Sequence, residues 1–373
     1  MKKIVVLGAG MVGRVMAVDL AGEFEVTAVD VDPANLERLA ASAVRTVRAD
    51  LSSPEAVREA VRASDLVVGA VPGSMGFATV RSVIEAGKDV VDISFFPEDA
   101  LLLDEAARRA GVTAVVDCGV APGMSNMILG FHAARMAVGR FACYVGGLPA
   151  RRELPFEYKA PFSPADVIEE YTRPARYVEN GHIVVRPALS DVEHLEFPEI
   201  GTLEAFNSDG LRSLLRTMKV PNMIEKTLRY PGHAERVRTL RDSGFFGTEE
   251  IEVRGRRVRP LDVTSAVLFE HWRLGEEDDE FTVMRIVVAG HENGRPKSYV
   301  YDLFDRRDRA TGFSSMARTT GFPATAVARL VLSGGLARKG VCPPELVGAE
   351  EAAFRTVMDG LAARGVTYRR TER

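Results

Sequence analysis

The chain has 373 residues, 46% of them hydrophobic and 27% charged, with a formal net charge of -4 and an isoelectric point near 6.0. That is the composition of a globular protein long enough for two domains, and it offers no electrostatic attraction to nucleic acid or to an anionic membrane. The basic runs at 254–260 (RGRRVRP) and 305–309 (DRRDR) have acids beside or among them and read as solvated faces. The apolar run after Lys2 and Lys3 is too short for a signal peptide and breaks into glycines. No stretch reaches the roughly 20 apolar residues of a membrane span, so a cytoplasmic protein without a membrane partner is expected. Cys118, Cys143 and Cys342 lie far apart and form no CxxC, and the histidines are scattered, so neither a disulfide framework nor a metal site is expected.

Short Val- and Ile-rich runs alternate with amphipathic stretches from residue 3 to about 117. The runs are KIVVLG (3–8), FEVTAVD (24–30), AVRTVRA (43–49), DLVVGAV (65–71), KDVVDIS (88–94) and GVTAVVDC (111–118). Near-continuous apolar strands are buried on both faces, which requires a parallel sheet covered by helices. The expected fold class is therefore α/β, a doubly wound Rossmann sheet over 1–125. The rhythm changes after Asn126, which is positioned to cap a helix running through SNMILGFHAARMA (125–137). Longer alternating runs follow, RFACYVGGLP (140–149), RYVENGHIVVRP (176–187), FTVMRIVVAG (281–290) and KSYVYDLF (297–304), with turn signals such as ENG between them. They predict a second, α+β domain over 126–335 with an antiparallel or mixed sheet. A helix is expected in 315–335, and the last one, in 343–365, is expected to return so that 336–373 completes the first domain.

Residues 8–13 read GAGMVG, a GxGxxG that directly follows the first strand and opens a helix. Gly8 permits the tight turn, Gly10 lets main chain approach a pyrophosphate, and Gly13 allows close helix packing, with Met11 and Val12 in the same helix start. Asp30 ends the second strand, where such folds place the acid that accepts from the adenosine ribose hydroxyls. Its charge repels a 2′-phosphate and no arginine follows at once, so NAD is expected in preference to NADP. Val31 continues that wall. Asp50 and Leu51 are placed for the adenine, and Val71 and Pro72 for the nicotinamide side. Gly119, Val120 and Ala121 leave the sixth strand in CGVAPG (118–123), small enough for main chain to approach nicotinamide or substrate.

These motifs, together with GAVPGSMGF (69–77), VDISFFPED (91–99), YVGGLP (144–149), SPADVIEEYTRPAR (163–176), EAFNSDGLRS (204–213), TLRYPGH (227–233), FSSMARTTGFPA (313–324) and KGVCPPE (339–345), resemble the saccharopine dehydrogenase family. Within it they are most similar to the lysine 6-dehydrogenases, which act on the ε-amine of lysine. The resemblance covers nearly the whole chain. It implies a Rossmann domain joined to an α+β domain for substrate and subunit contacts, a pyridine nucleotide as oxidant, a small amino acid as substrate, and a homodimer or larger homo-oligomer. It also implies substrate contacts at Ser94, Phe95, Thr227, Leu228 and Arg229, the last holding a carboxylate. Saccharopine-forming members carry an aspartate before the Pro-Gly, where this chain has Ala121. The missing carboxylate turns the expectation from saccharopine towards lysine. An ammonium has no lone pair to drive hydride loss, so the site must accept a proton or lower the amine pKa. Asp92, Asp117 and Glu170 are the candidate bases, and the residues leave the choice open. Arg173 and Arg176 are candidates to clamp the α-carboxylate. Two alternatives stand beside oxidative deamination of lysine to its 6-semialdehyde: a saccharopine or other secondary-amine dehydrogenase, and an NAD-binding regulator without turnover.

Overall fold

The computed structural model describes every residue except Glu276. Its first part alternates β1 (Lys3–Leu7), α1 (Met11–Ala21), β2 (Glu25–Asp30), α2 (Pro33–Glu37), β3 (Arg45–Arg48), α3 (Pro54–Val61), β4 (Leu66–Gly69), α4 (Gly73–Glu85), β5 (Asp89–Asp92), α5 (Asp104–Ala110) and β6 (Thr113–Val115). The strands pair in parallel, as expected for apolar runs that must be covered on both faces. The sheet order is β17-β6-β5-β4-β1-β2-β3, so it reverses direction at β1 and β4. Its seventh strand, β17 (Gly340–Val341), arrives from the far end of the chain and adds to β6. The fold is α/β with a Rossmann-like parallel sheet, as its apolar runs require.

The second part follows α6 (Met124–Ala133) with β7 (Ala137–Pro149), α7 (Pro164–Thr172), β8 (Ala175–Glu179), β9 (His182–Arg186), β10 (Glu193–Phe197), β11 (Gly201–Asn207), α8 (Leu214–Thr217), β12 (Asn222–Arg229), α9 (His233–Asp242), the small hairpin β13 (Ile251–Val253) and β14 (Arg256–Val258), α10 (Pro260–Trp272), β15 (Glu280–Glu292) and β16 (Arg295–Arg306). These strands, with β18 (Tyr368–Glu372), make a mixed sheet along β10-β11-β12-β7-β15-β16-β18, with β8 and β9 at one side. Both ENG signals are two-residue turns: Asn180–Gly181 joins β8 to β9, and Asn293–Gly294 joins β15 to β16. The left-handed φ angles of 50° and 80° at the first, and 51° and 77° at the second, are what Asn and Gly tolerate and what matches strand twist.

Three local expectations change. Asn126 does not cap α6. Gly123 does, and Asn126 sits three residues inside, its side chain accepting from the Gly123 N–H at 3.5 Å. The amphipathic stretch at 33–42 yields only the five-residue α2. Helix α11 (Ser315–Leu332), read with the second domain, packs along α1 and over β4 and β5 while its start touches β15. Asp19 of α1 accepts from Thr325 Oγ1 at 2.6 Å, Arg329 Nη1 at 2.8 Å and Arg364 Nε at 2.6 Å. Conversely β18 lies within 336–373 yet pairs with β16 of the second sheet. The tail thus serves both parts, with α12 (Pro344–Ala349) against α6 and α13 (Glu351–Ala362) against α11. Among the described residues no helix is long and apolar enough to cross a membrane.

Candidate active site

A cleft of about 550 Å³ opens where the carboxyl ends of the parallel strands face the second sheet. One half is made by the first domain. Gly8 has a φ of 95°, and a Cβ on it would meet the Ala70 carbonyl, while a Cβ on Gly13 would run into the Gly8 carbonyl. The turn can therefore close only with glycine at both positions. No side chain caps the start of α1, and Gly10, Met11, Val12 and Gly13 line the cleft there. The open N–H groups of that first turn and the helix dipole make a site for an anion. Asp30 is fixed at the cleft wall, accepting from Ala9 N at 2.7 Å, Asp32 N at 2.8 Å and Asn35 Nδ2 at 3.3 Å. Val31, Asp50, Leu51, Val71, Pro72, Gly119 and Val120 complete this half. The structure thus brings all the residues expected around a dinucleotide to one continuous surface.

The other half joins Ser94, Phe95 and Ala121 of the first domain to β12, α7, the 208–210 loop and β7. Strand alternation sorts β12. Thr227 and Arg229 line the cleft, whereas Leu228 points to the opposite face and is fully buried among Leu148, Tyr230 and Phe281. The expected substrate contact at Leu228 is therefore corrected. Glu225 shares the parity of Thr227 and Arg229 and enters the same wall. Sequence reasoning missed it, although a two-residue step back along the strand leads to it. On α7, Asp166, Glu169 and Glu170 are spaced i, i+3 and i+4 and share the cleft-facing side, and Arg173, which caps the end of the helix, lines the cleft with them.

The candidate bases separate. Glu170 lines the cleft; burial raises its pKa, against the pull of Arg229, whose Nη2 lies 2.8 Å from its Oε2. Asp92 is fully buried beneath the cleft and does not line it; burial pushes its pKa up to about 7, and it accepts from Ser94 N at 2.8 Å and Ser94 Oγ at 3.2 Å. Asp117 is buried and committed to Arg212, whose Nε lies 3.2 Å and 3.3 Å from the two carboxylate oxygens while Nη1 donates to the Phe96 carbonyl at 2.6 Å. It links the exit of β6 to the loop after β11 and has no face on the cleft.

The arginines separate too. Arg229 is 2% exposed and donates to Glu170, to Tyr171 Oη at 3.3 Å, to Tyr158 Oη at 3.4 Å and to the Leu228 carbonyl at 2.9 Å. Arg176 does not line the cleft; it holds Asp209 through two side-chain bonds of 2.9 Å and 2.7 Å and so fixes the 208–210 loop. Arg173 stacks over Phe95 at 4.8 Å and donates to exposed Glu169, and its buried Nη1 has no partner. Of the two that line the cleft, it is the one with a donor left for a ligand carboxylate. His233 is fully buried between Tyr171 Oη at 2.9 Å and the Phe156 carbonyl at 3.0 Å, with its pKa lowered to about 3 by burial, so it is part of the frame. Burial also raises the Cys118 thiol pKa far above its ordinary value.

Fold and cleft together define a two-domain protein in which a glycine turn of the dinucleotide-binding type and a second, acid-lined sheet close over the same strand ends. The chain belongs to the saccharopine dehydrogenase family: residues 4–115 match its domain described as "Saccharopine dehydrogenase NADP binding domain" and 119–366 match "Saccharopine dehydrogenase C-terminal domain". It is 30% identical to the alpha-aminoadipic semialdehyde synthase of Arabidopsis thaliana, over 67% of this chain and 26% of that protein. It is 26% identical to a saccharopine dehydrogenase [NADP(+), L-glutamate-forming] of Pyricularia oryzae, over 67% of this chain and 59% of that one. The chain thus spans from about a quarter to three fifths of these curated relatives. A carboxyaminopropylagmatine dehydrogenase of Synechocystis is 22% identical over 91% of this chain and 92% of its own. The fold is that of the apo saccharopine dehydrogenase (L-Glu forming) from Saccharomyces cerevisiae, with a TM-score of 0.79 at 20% identity and complete coverage of both chains.

Proposed function

We propose that the protein is a nicotinamide-dependent dehydrogenase of the cytoplasm that oxidises an amine-bearing carbon of an amino acid, and that its substrate is L-lysine, attacked at the ε-carbon. The observation that carries this reading is the continuity of the cleft. The dinucleotide half runs into a half with carboxylates at Asp166, Glu170, Asp209 and Glu225 and one open arginine donor at Arg173, which suits a ligand bearing ammonium at one end and carboxylate at the other. In this half Ala121 presents only a methyl group before the Pro-Gly. A nicotinamide bound in this cleft would supply the hydride acceptor for the amine-bearing carbon. The first turn of α1 would hold the pyrophosphate and Asp30 the ribose hydroxyls. Water would then hydrolyse the imine to the 6-semialdehyde with release of ammonia, and the aldehyde would close on its own α-amine with loss of water.

The acidic residue Asp30 favours NAD. The family domain described as NADP binding, with Arg48 Nε on the Val31 carbonyl at 3.1 Å, supports NADP as a second reading. Reduction of NAD and of NADP is to be measured with L-lysine, L-ornithine, saccharopine and carboxyaminopropylagmatine. Turnover of lysine with NAD is expected. Turnover of saccharopine without lysine selects the secondary-amine reading, and tight dinucleotide binding without turnover of any amine selects the regulator. A homodimer or larger homo-oligomer is part of the proposal, and a monomer by light scattering at working concentration contradicts it.

A further inference from the structure

Among the described residues no cation pairs with Glu225, unlike Glu170 and Asp209, which have Arg229 and Arg176. Its side chain is held in the cleft wall, 6% exposed, and its Oε2 has no hydrogen-bond partner. A buried carboxylate oxygen without a donor is costly unless something in the cleft supplies one. The fold makes room for this group: a Cβ on Gly210 would fall on the Glu225 carboxylate, so the loop that Arg176 and Asp209 pin down must have glycine there. Arg173, which lines the same cleft, offers the complementary orphan, a buried Nη1 without an acceptor. One unpaired acceptor and one unpaired donor in the same cleft define the two ends of a ligand.

Resting on the reaction proposed above, we infer that Glu225 receives the substrate ammonium and takes its proton, making it the catalytic base of the amine oxidation. In that step one N–H bond breaks and one O–H bond forms, no electrons leave the substrate, and the nitrogen regains the lone pair that the oxidation needs. Without such a group only about one lysine ε-amine in 2,500 is neutral at pH 7. The surroundings give Glu225 a basicity suited to the task. Burial, then Glu170 of α7, Asp209 and Asp117, raise its pKa to about 8, while Arg212 opposes them. From β7 it faces Cys143, whose thiol burial keeps protonated. The base form of the free enzyme therefore appears as pH rises through about 8, and the lysine ammonium is lost near 10.4. A bell-shaped kcat/KM between those limits is expected.

Glu225→Gln keeps the volume and removes the base. Its kcat/KM at pH 8 is expected to fall at least about a hundredfold and its limb near 8 to disappear, while affinity for reduced dinucleotide, read by fluorescence, stays within about twofold and reports an intact fold. A second readout needs no turnover: binding of L-lysine against L-norleucine, which keeps the α-ammonium but lacks the ε-ammonium. Wild type is expected to prefer lysine by about tenfold or more, and the variant to lose most of that preference. A variant that keeps the wild-type pH profile and rate, or equal preference for lysine in both proteins, overturns the inference. A wild-type enzyme that oxidises no amine overturns the proposed reaction instead, and the lysine–norleucine comparison then still decides whether Glu225 receives the ammonium.

Discussion

Arg229 and Arg173 show how little residue type alone says about role. Both are arginines in motifs that carry the family resemblance, and both line the cleft. Arg229 spends its donors on Glu170, two tyrosines and a main-chain carbonyl, whereas Arg173 keeps one buried donor free. Arg229→Ala is therefore expected to leave Glu170, whose side chain is 21% exposed, without its cation and to cost about 2 to 4 kcal/mol of stability, below the range for a fully buried pair, read by denaturant unfolding. Arg173→Ala loses a pairing with exposed Glu169 and the stacking over Phe95, so its stability should fall by only about 1 kcal/mol. Its KM for the amino acid is expected to rise about tenfold or more, with KM for the dinucleotide unchanged. If Arg229→Ala stays stable and shows the larger rise in amino-acid KM, the two roles are exchanged. Asp117 belongs to the same lesson: its position at a strand end was legible, but Arg212, 95 residues away in sequence, occupies it.

At the scale of elements, strands and turns were read best, because their signals are local. The apolar runs became the parallel strands, and the two ENG turns became hairpins whose positive φ angles only such residues accept readily. Strand β12 shows that a period of two also sorts function, placing Glu225, Thr227 and Arg229 on the cleft and Leu228 behind it. What the local pattern does not encode is which neighbour an amphipathic face will meet. Helix α11 carries a long apolar stripe, and chain order put it with the second sheet, yet it packs on α1 through the Asp19 cluster. Asp19→Ala leaves Arg364 without its carboxylate partner and Arg329 with Glu23 alone, both partly buried at that junction. The expected loss is about 2 to 4 kcal/mol, below the range for a fully buried pair because the side chains retain some exposure. Unfolding indistinguishable from wild type would show that the helices hold together by apolar packing alone.

For the molecule as a whole, the cleft is the contact between its two halves, so a ligand spanning them stabilises the folded state by linkage. At a concentration a hundred times its Kd, a reduced dinucleotide is expected to add about 2.7 kcal/mol, seen as a rise of several degrees in the unfolding midpoint. Comparing NADH with NADPH in that assay reads cofactor choice without any substrate: a larger rise with NADH supports Asp30 as the discriminator, and a larger rise with NADPH contradicts it. By itself the sequence determined the parallel sheet, the glycine turn with Asp30 at its side, and the change to a second sheet after Asn126, because hydrophobic period and glycine geometry are written over a few consecutive residues. Only the tertiary structure decided which cleft carboxylate keeps a buried oxygen without a hydrogen-bond partner and which arginine keeps a donor without an acceptor. Those properties depend on partners tens to hundreds of residues away, and burial makes each such partner decisive by raising the cost of leaving a charge alone.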